Sequence, residues 1–125
     1  MKNVKTLLID SDEHSRYFLS YALKKSGIEY LVVLENGFNV LEKVKNQQFD
    51  LILTELMVSG IGGFELIKKI RSLSSYKDVP IIVVTTLVIN NHIQKCFELG
   101  ATDFIAKPFN LKDFIEKIKF YSNHS

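Results

Sequence analysis

Short apolar runs alternate five times with amphipathic stretches along this 125-residue chain, and that rhythm constrains the fold more than any other feature. Thr6-Leu7-Leu8-Ile9 ends at Asp10. His14 to Lys25 then carries Tyr17, Phe18, Tyr21 and Leu23 at helical spacing, and Gly27 stops it. Tyr30 to Leu34 is a second strand closed by Asn36-Gly37, and Phe38, Val40, Leu41 and Val44 mark a second helix. Leu51-Ile52-Leu53 precedes a third helix bearing Phe64, Leu66, Ile67 and Ile70. Pro80 opens Ile81-Ile82-Val83-Val84, and Ile93, Cys96, Phe97 and Leu99 follow on a helix capped by Gly100. Asp103 to Ala106 is a short fifth strand. Asn110 is an N-cap for a last helix with Leu111, Phe114, Ile115 and Ile118 on one stripe. The final residues, Ser122 to Ser125, read as a frayed end.

Strands that are apolar throughout must be covered on both faces, which requires a parallel sheet between two layers of helices. Right-handed crossovers then give an α/β, doubly wound, five-stranded parallel sheet with five helices, as one domain over residues 1–125. A net charge of +2, from interspersed charges without like-charged blocks, gives no case for nucleic acid or a membrane surface as partner. The apolar runs are far shorter than the ~20 residues that span a bilayer. Met1 to Lys5 leads straight into a strand pattern rather than a signal peptide, so a cytoplasmic location is expected. Cys96, the single cysteine, fits a reducing compartment and a structural thiol. His14, His92 and His124 have no metal-ligand spacing and read as surface or helix residues.

Ligands of an open parallel sheet bind beyond the carboxyl ends of its strands, where strand order reverses. Asp10, Ser11, Asp12 and Glu13 follow the first strand, Glu55 the third, Thr85 and Thr86 the fourth, and Lys107 and Pro108 the fifth. Carboxylates hold a hard cation, while an ammonium and a hydroxyl meet phosphoryl oxygens. Convergence of these groups at one edge has the makings of a phosphoryl site. Solvated loop residues are the plainer alternative.

Four segments carry a family resemblance. Leu7 to Arg16, Phe49 to Leu66, Pro80 to Thr86, and Gly100 to Phe109 occur in order and at the spacing of the receiver domain of two-component response regulators. The chain resembles that family over nearly its whole length. The resemblance implies a flavodoxin-like architecture and a signalling domain rather than an enzyme. It assigns Glu55 to the phosphoacceptor position, Asp10, Ser11 and Asp12 to the acidic pocket, and Thr85, Phe104, Lys107 and Pro108 to the switch and phosphate pocket.

The same alignment exposes departures. The family accepts phosphate on an aspartate, and Glu55 is one methylene longer. Misplacing a reacting group by about 1 Å can cost a factor near a hundred in rate. In the family that exchange often mimics the phosphorylated state in part, because the longer carboxylate reaches toward the lysine. Ser11 stands where a second, metal-touching acid is usual. Magnesium on Asp10, Asp12 and Glu55 is therefore expected to be weak or absent, with no other cofactor. Ser59 replaces a usual proline, Gly62 replaces an aspartate and leaves Gly60 to Gly63 flexible, and Phe104 replaces a frequent tyrosine. Lys107 is expected to pair with Glu55 and with Asp10, and the Lys107–Pro108 bond is free to be cis.

These features favour a phosphorylation-independent receiver. It would act through a protein partner, or self-association, on the face of the fourth helix, fifth strand and fifth helix, which carries Asn91, Lys95, Asp103, Phe104, Lys112 and Lys117. The alternative is a receiver that still responds to phosphorylation or magnesium through a variant pocket. A flavin carrier on the same fold is a third possibility, but the acidic turn after the first strand would repel its phosphate. Both a stand-alone regulator and the N-terminal piece of a longer protein fit the sequence.

Overall fold

The structure is a computed structural model that describes residues 3–123. Its strands are β1 (Lys5–Ile9), β2 (Tyr30–Leu34), β3 (Leu51–Thr54), β4 (Ile81–Thr85) and β5 (Asp103–Ala106). The helices between and after them are α1 (Glu13–Lys25), α2 (Val40–Asn46), α3 (Gly63–Arg71), α4 (Asn90–Leu99) and α5 (Leu111–Asn123), with a 3-10 turn at Ser74–Tyr76. All strand pairs are parallel, in the order β2-β1-β3-β4-β5. The expected five strands and five helices are all present.

Alternation along each strand divides the core into two layers. Leu7, Ile9, Ile52, Ile81 and Val83 face α2, α3 and α4, where Val40, Val44, Leu66, Ile67, Ile70 and Cys96 meet them. Leu8, Leu51, Leu53, Ile82 and Val84 face α1 and α5, against Leu19, Ala22, Leu23, Phe114 and Ile118. Only the central strands β3 and β4 are buried throughout. The edge strand β2 is at best half-buried, because apolar composition cannot cover a strand that has a neighbour on one side only.

Three helical expectations change in detail. Tyr17, Phe18 and Tyr21 do not form the inner face of α1, which is Leu19, Ala22 and Leu23. These three positions lie at i, i+3 and i+4, and the aromatic rings occupy the flank toward solvent. Phe38 precedes α2 rather than lying on it and is exposed, with its ring against Gly60. The chain is not frayed at Ser122, since α5 continues to Asn123 and is pinned by Tyr121, whose hydroxyl donates to Asp103 Oδ2 at 2.6 Å. His124 and Ser125 lie outside the described residues.

After β1 the chain adds β2 on one side and β3 on the other, so strand order reverses between β1 and β3. The residues that leave those strands are Asp10 and Glu55. Topology therefore places two carboxylates at the mouth of the natural binding crevice.

Candidate functional site

Asp10 is 1% exposed and Glu55 8%, so neither carboxylate can rely on water. Their partner is Lys107, the first residue past β5, whose N–H donates to Thr85 O at 2.8 Å. The Lys107 Nζ donates to Asp10 Oδ2 at 2.7 Å and to Glu55 Oε2 at 2.9 Å. Burial alone would lower the Lys107 pKa, but these hydrogen bonds and both negative charges outweigh it and hold it above the ordinary lysine value. The sequence expectation of a bridging lysine is met in this geometry. The following Lys107–Pro108 peptide is cis.

The remaining acceptors are engaged locally. Asp10 Oδ1 accepts the Asp12 N–H at 2.9 Å in an Asx turn, and Asp10 Oδ2 also accepts the Ser15 hydroxyl at 2.7 Å. Asp12 is the N-cap of α1, with Oδ2 accepting the Ser15 N–H at 2.8 Å. Glu55 Oε1 accepts the Leu56 N–H at 2.7 Å and a longer contact from the Met57 N–H at 3.5 Å. Ser11 Oγ accepts the Ser59 N–H at 3.1 Å, and Arg16 Nη1 donates to the Asp10 carbonyl at 3.0 Å.

A crevice of about 460 Å³ opens above these groups, lined by Asp10, Ser11, Ser15, Glu55, Thr86 and Lys107 among others. Thr85 is not on that lining. It is fully buried, and its hydroxyl accepts the Leu87 N–H at 3.2 Å, so the exposed hydroxyl at the crevice is that of Thr86. The side chain of a strand's last residue alternates with that of the next, and here the inward turn falls on Thr85. Phe104 is half-buried and packs against the α2–α3–α4 side of the core.

The loop from Ser59 to Gly62 is more tightly fixed than its glycines suggest. Ser59 O accepts the Gly37 N–H at 2.7 Å, and Gly60 takes φ +87°, a left-handed conformation that favours glycine. A Cβ on Gly63 would overlap Leu56, so that glycine permits close approach of α3 to the strand end. Gly62 does leave α3 without a side-chain cap.

Residues 6–119 match the family described as the response regulator receiver domain. The chain belongs to that family. A relative in Arabidopsis thaliana, two-component response regulator ARR17, is 32% identical over 130 residues, covering 94% of this chain and 84% of the relative. In rice, Oryza sativa subsp. indica, two-component response regulator-like PRR37 is 34% identical over 110 residues, but this chain spans only 15% of its length. Among solved structures, the chemotaxis response regulator CheY4 of Vibrio cholerae superposes with a TM-score of 0.87 at 28% identity, covering 96% of this chain and 99% of that one. The receiver domain of sensor histidine kinase PA1611 from Pseudomonas aeruginosa, with a magnesium ion coordinated in its active-site cleft, shares the fold with a TM-score of 0.87 at 20% identity.

Within this receiver domain, the acidic positions separate. Asp10 and Glu55 converge on Lys107, whereas Asp12 turns to cap α1. Asp10 Oδ2 accepts two donors, and each other oxygen of the pair accepts at least one. Among the described residues, no three His, Cys, Asp or Glu side chains are grouped to hold a metal ion. Magnesium takes near-octahedral oxygen ligation from one or two carboxylates and several waters; of the two carboxylates that converge here, one oxygen of each is bonded to Lys107 Nζ. Ser15 was not legible as a pocket residue, since nothing in the spacing shows that its hydroxyl turns back to Asp10.

The expected partner face is also partly self-engaged. Asp103 pairs with Lys117 at 3.1 Å, and hydrogen bonds from Tyr121, Phe104 N–H and Lys117 outweigh burial to hold the Asp103 carboxyl below its usual value. Lys95 lies over the Phe64 ring of α3 at 4.5 Å, while Asn91 and Lys112 are exposed. Cys96 is buried, and burial pushes its thiol pKa up. His14 is exposed, and His92 sits beside Phe64 at 5.8 Å between ring centroids. No described helix is long and apolar enough to cross a membrane.

Proposed function

We propose that this receiver domain signals by protein contact without a phosphorylation cycle, with Glu55 serving as a permanent anionic arm. The observation that carries this reading is the Lys107 bridge, 2.9 Å to Glu55 and 2.7 Å to Asp10. The longer side chain puts a carboxylate oxygen on the lysine where the resemblance places a phosphoryl oxygen. Its other oxygen is tied to the Leu56 N–H. To take up a phosphoryl group, Glu55 would have to free one of its two bonded oxygens, Oε2 from Lys107 or Oε1 from the Leu56 N–H.

Output then comes from the α4–β5–α5 face. A groove of about 240 Å³ beside β5 and α5 is bordered by Phe104, Phe109, Asp113 and Lys117, next to the Asp103–Lys117 pair. A protein partner or a second copy would dock there, inside the cell. The competing reading is a pocket still responsive to magnesium or phosphorylation, as the metal in the PA1611 receiver would suggest. It is favoured by the retained Lys107 and the open crevice with the Thr86 hydroxyl. Against it stand the occupied carboxylate oxygens.

The test is intact-mass spectrometry after incubation with acetyl phosphate and magnesium, on the native protein and on Glu55→Asp. No acyl phosphate is expected on the native protein. Stoichiometric phosphate on Glu55 would overturn the proposal.

A further inference from the structure

We infer that the hydroxyls of Ser15 and Ser11 take the place of a divalent cation in this receiver, cross-linking the acidic turn and the loop after β3 so that the pocket sets without metal. The inference rests on the reading of Glu55 as a fixed anion and adds the groups that make such a pocket self-sufficient. Two carboxylates and one ammonium leave one uncompensated negative charge in a nearly buried cluster. Such a cluster needs either a cation or a full set of hydrogen-bond donors. The structure supplies donors: Asp12 N–H and the Ser15 hydroxyl to Asp10, and Leu56 N–H to Glu55.

Ser15 is the decisive one. As the third residue of α1 its N–H is taken by the Asp12 cap, which fixes the backbone and points the hydroxyl back over Asp10. Asp10 Oδ2 then accepts Ser15 Oγ and Lys107 Nζ, both at 2.7 Å, which uses both of its lone pairs. A cation approaching that oxygen would have to expel a charge-assisted hydrogen bond.

Ser11 works on the loop instead. Its Oγ accepts the Ser59 N–H, and the Ser59 carbonyl accepts the Gly37 N–H. Gly37 must be glycine for this approach, since a Cβ there would collide with the Ile61 carbonyl. The turn after β1, the loop after β3 and the loop after β2 are thereby joined in one hydrogen-bonded relay. An acid at position 11 would offer charge to a metal in the same place. Serine offers a neutral acceptor to a backbone amide.

The experiment is an amide NMR titration with magnesium chloride on the native protein, Ser15→Ala, Ser11→Asp and the double variant, with hydrogen exchange of the Ser59 and Gly37 amides measured in parallel on the native protein and Ser11→Ala. The native protein should show no saturable shift at millimolar magnesium. Freeing Asp10 with Ser15→Ala should tighten magnesium binding by about tenfold, the effect of one charge-assisted hydrogen bond, and Ser11→Asp should tighten it further. Protection of the Ser59 amide in the native protein should be the same in magnesium and in chelator, and should fall in Ser11→Ala. Native affinity equal to that of the variants, or Ser59 protection that needs magnesium, would overturn the inference. The native-protein exchange comparison decides it even if a variant fails to fold. Magnesium binding without phosphate on Glu55 sinks this inference alone. Phosphate on Glu55 sinks the parent reading, whatever the magnesium result.

Discussion

Two cations turn inward at opposite ends of the sheet, and they are held by opposite means. Lys107, at the carboxyl edge, is gripped by two carboxylates and has its pKa raised. Arg71, at the other edge, is gripped by carbonyl oxygens. Its Nη1 donates to Tyr76 O and Val79 O, both at 2.7 Å, and its Nη2 to Gly100 O at 2.6 Å. Burial lowers the Arg71 pKa, only partly offset by Asp78. Neutral carbonyls hold the guanidinium regardless of what binds elsewhere, so that end is a rivet. Carboxylates hold the ammonium only while they are charged and free of other ligands, so the Lys107 end is where added charge can act. Ser11 and Glu55, on which the proposed reading turns, both fall at that end.

The contrast can be broken most readily at Lys107. Lys107→Met leaves two buried carboxylates facing one another and should cost about 3 kcal/mol at neutral pH by urea unfolding. The deficit should shrink in acid, where neutral carboxyls no longer repel. Arg71→Met should cost about 2 kcal/mol, since water can reach some of the freed carbonyls. Its deficit should be flat across the same pH range. Equal pH dependence of the two variants would erase the distinction between the ends. In the native protein, the Lys107 contribution is complete below the ordinary lysine value and is lost as pH rises through its raised value. Lys107→Met should lack that alkaline loss.

A third, half-exposed cluster sharpens the comparison. Tyr121 is pushed up to about 12 by burial and by its hydrogen bond to Asp103. The neutral phenol therefore contributes stability that is intact below its ordinary value of 10.0 and lost as pH approaches about 12. Tyr121→Phe should cost about 1 kcal/mol at neutral pH, and the difference from native should close over that alkaline window. A cost as large as that of Lys107→Met would show that burial is not what separates the sites. The smallest effect belongs to Gly62→Asp. It supplies the missing cap to α3 beside the pocket and should add a few tenths of a kcal/mol, about 0.3, in thermal unfolding.

The same contrast explains what could be read from sequence. Lys107, Glu55 and Asp10 were legible because each directly follows a strand, and strand ends in a doubly wound sheet converge. Arg71 was not, since a side chain that binds backbone carbonyls needs no partner residue type and leaves no pattern. Ser15 was missed, and the pocket role was given to Thr85 rather than to Thr86, for a related reason. Which of two adjacent hydroxyls faces a crevice depends on where a strand stops, and Thr85 turned inward. The aromatic flank of α1 misled because Tyr17, Phe18 and Tyr21 share helical spacing with the true inner face one step away. Phe18 instead stacks on Phe109 at 5.3 Å, outside the main core.

The most direct measurement is an amide NMR titration of the native protein with beryllium fluoride in the presence of magnesium. Beryllium fluoride presents the geometry of an acyl phosphate to the pocket. With Glu55 already on Lys107, the amides of Glu55, Thr85, Phe104 and Lys107 are expected to stay in place at every concentration. Saturable shifts at those four residues, spreading into α4 and α5, would mean that the switch is live and that Glu55 is not a fixed anion.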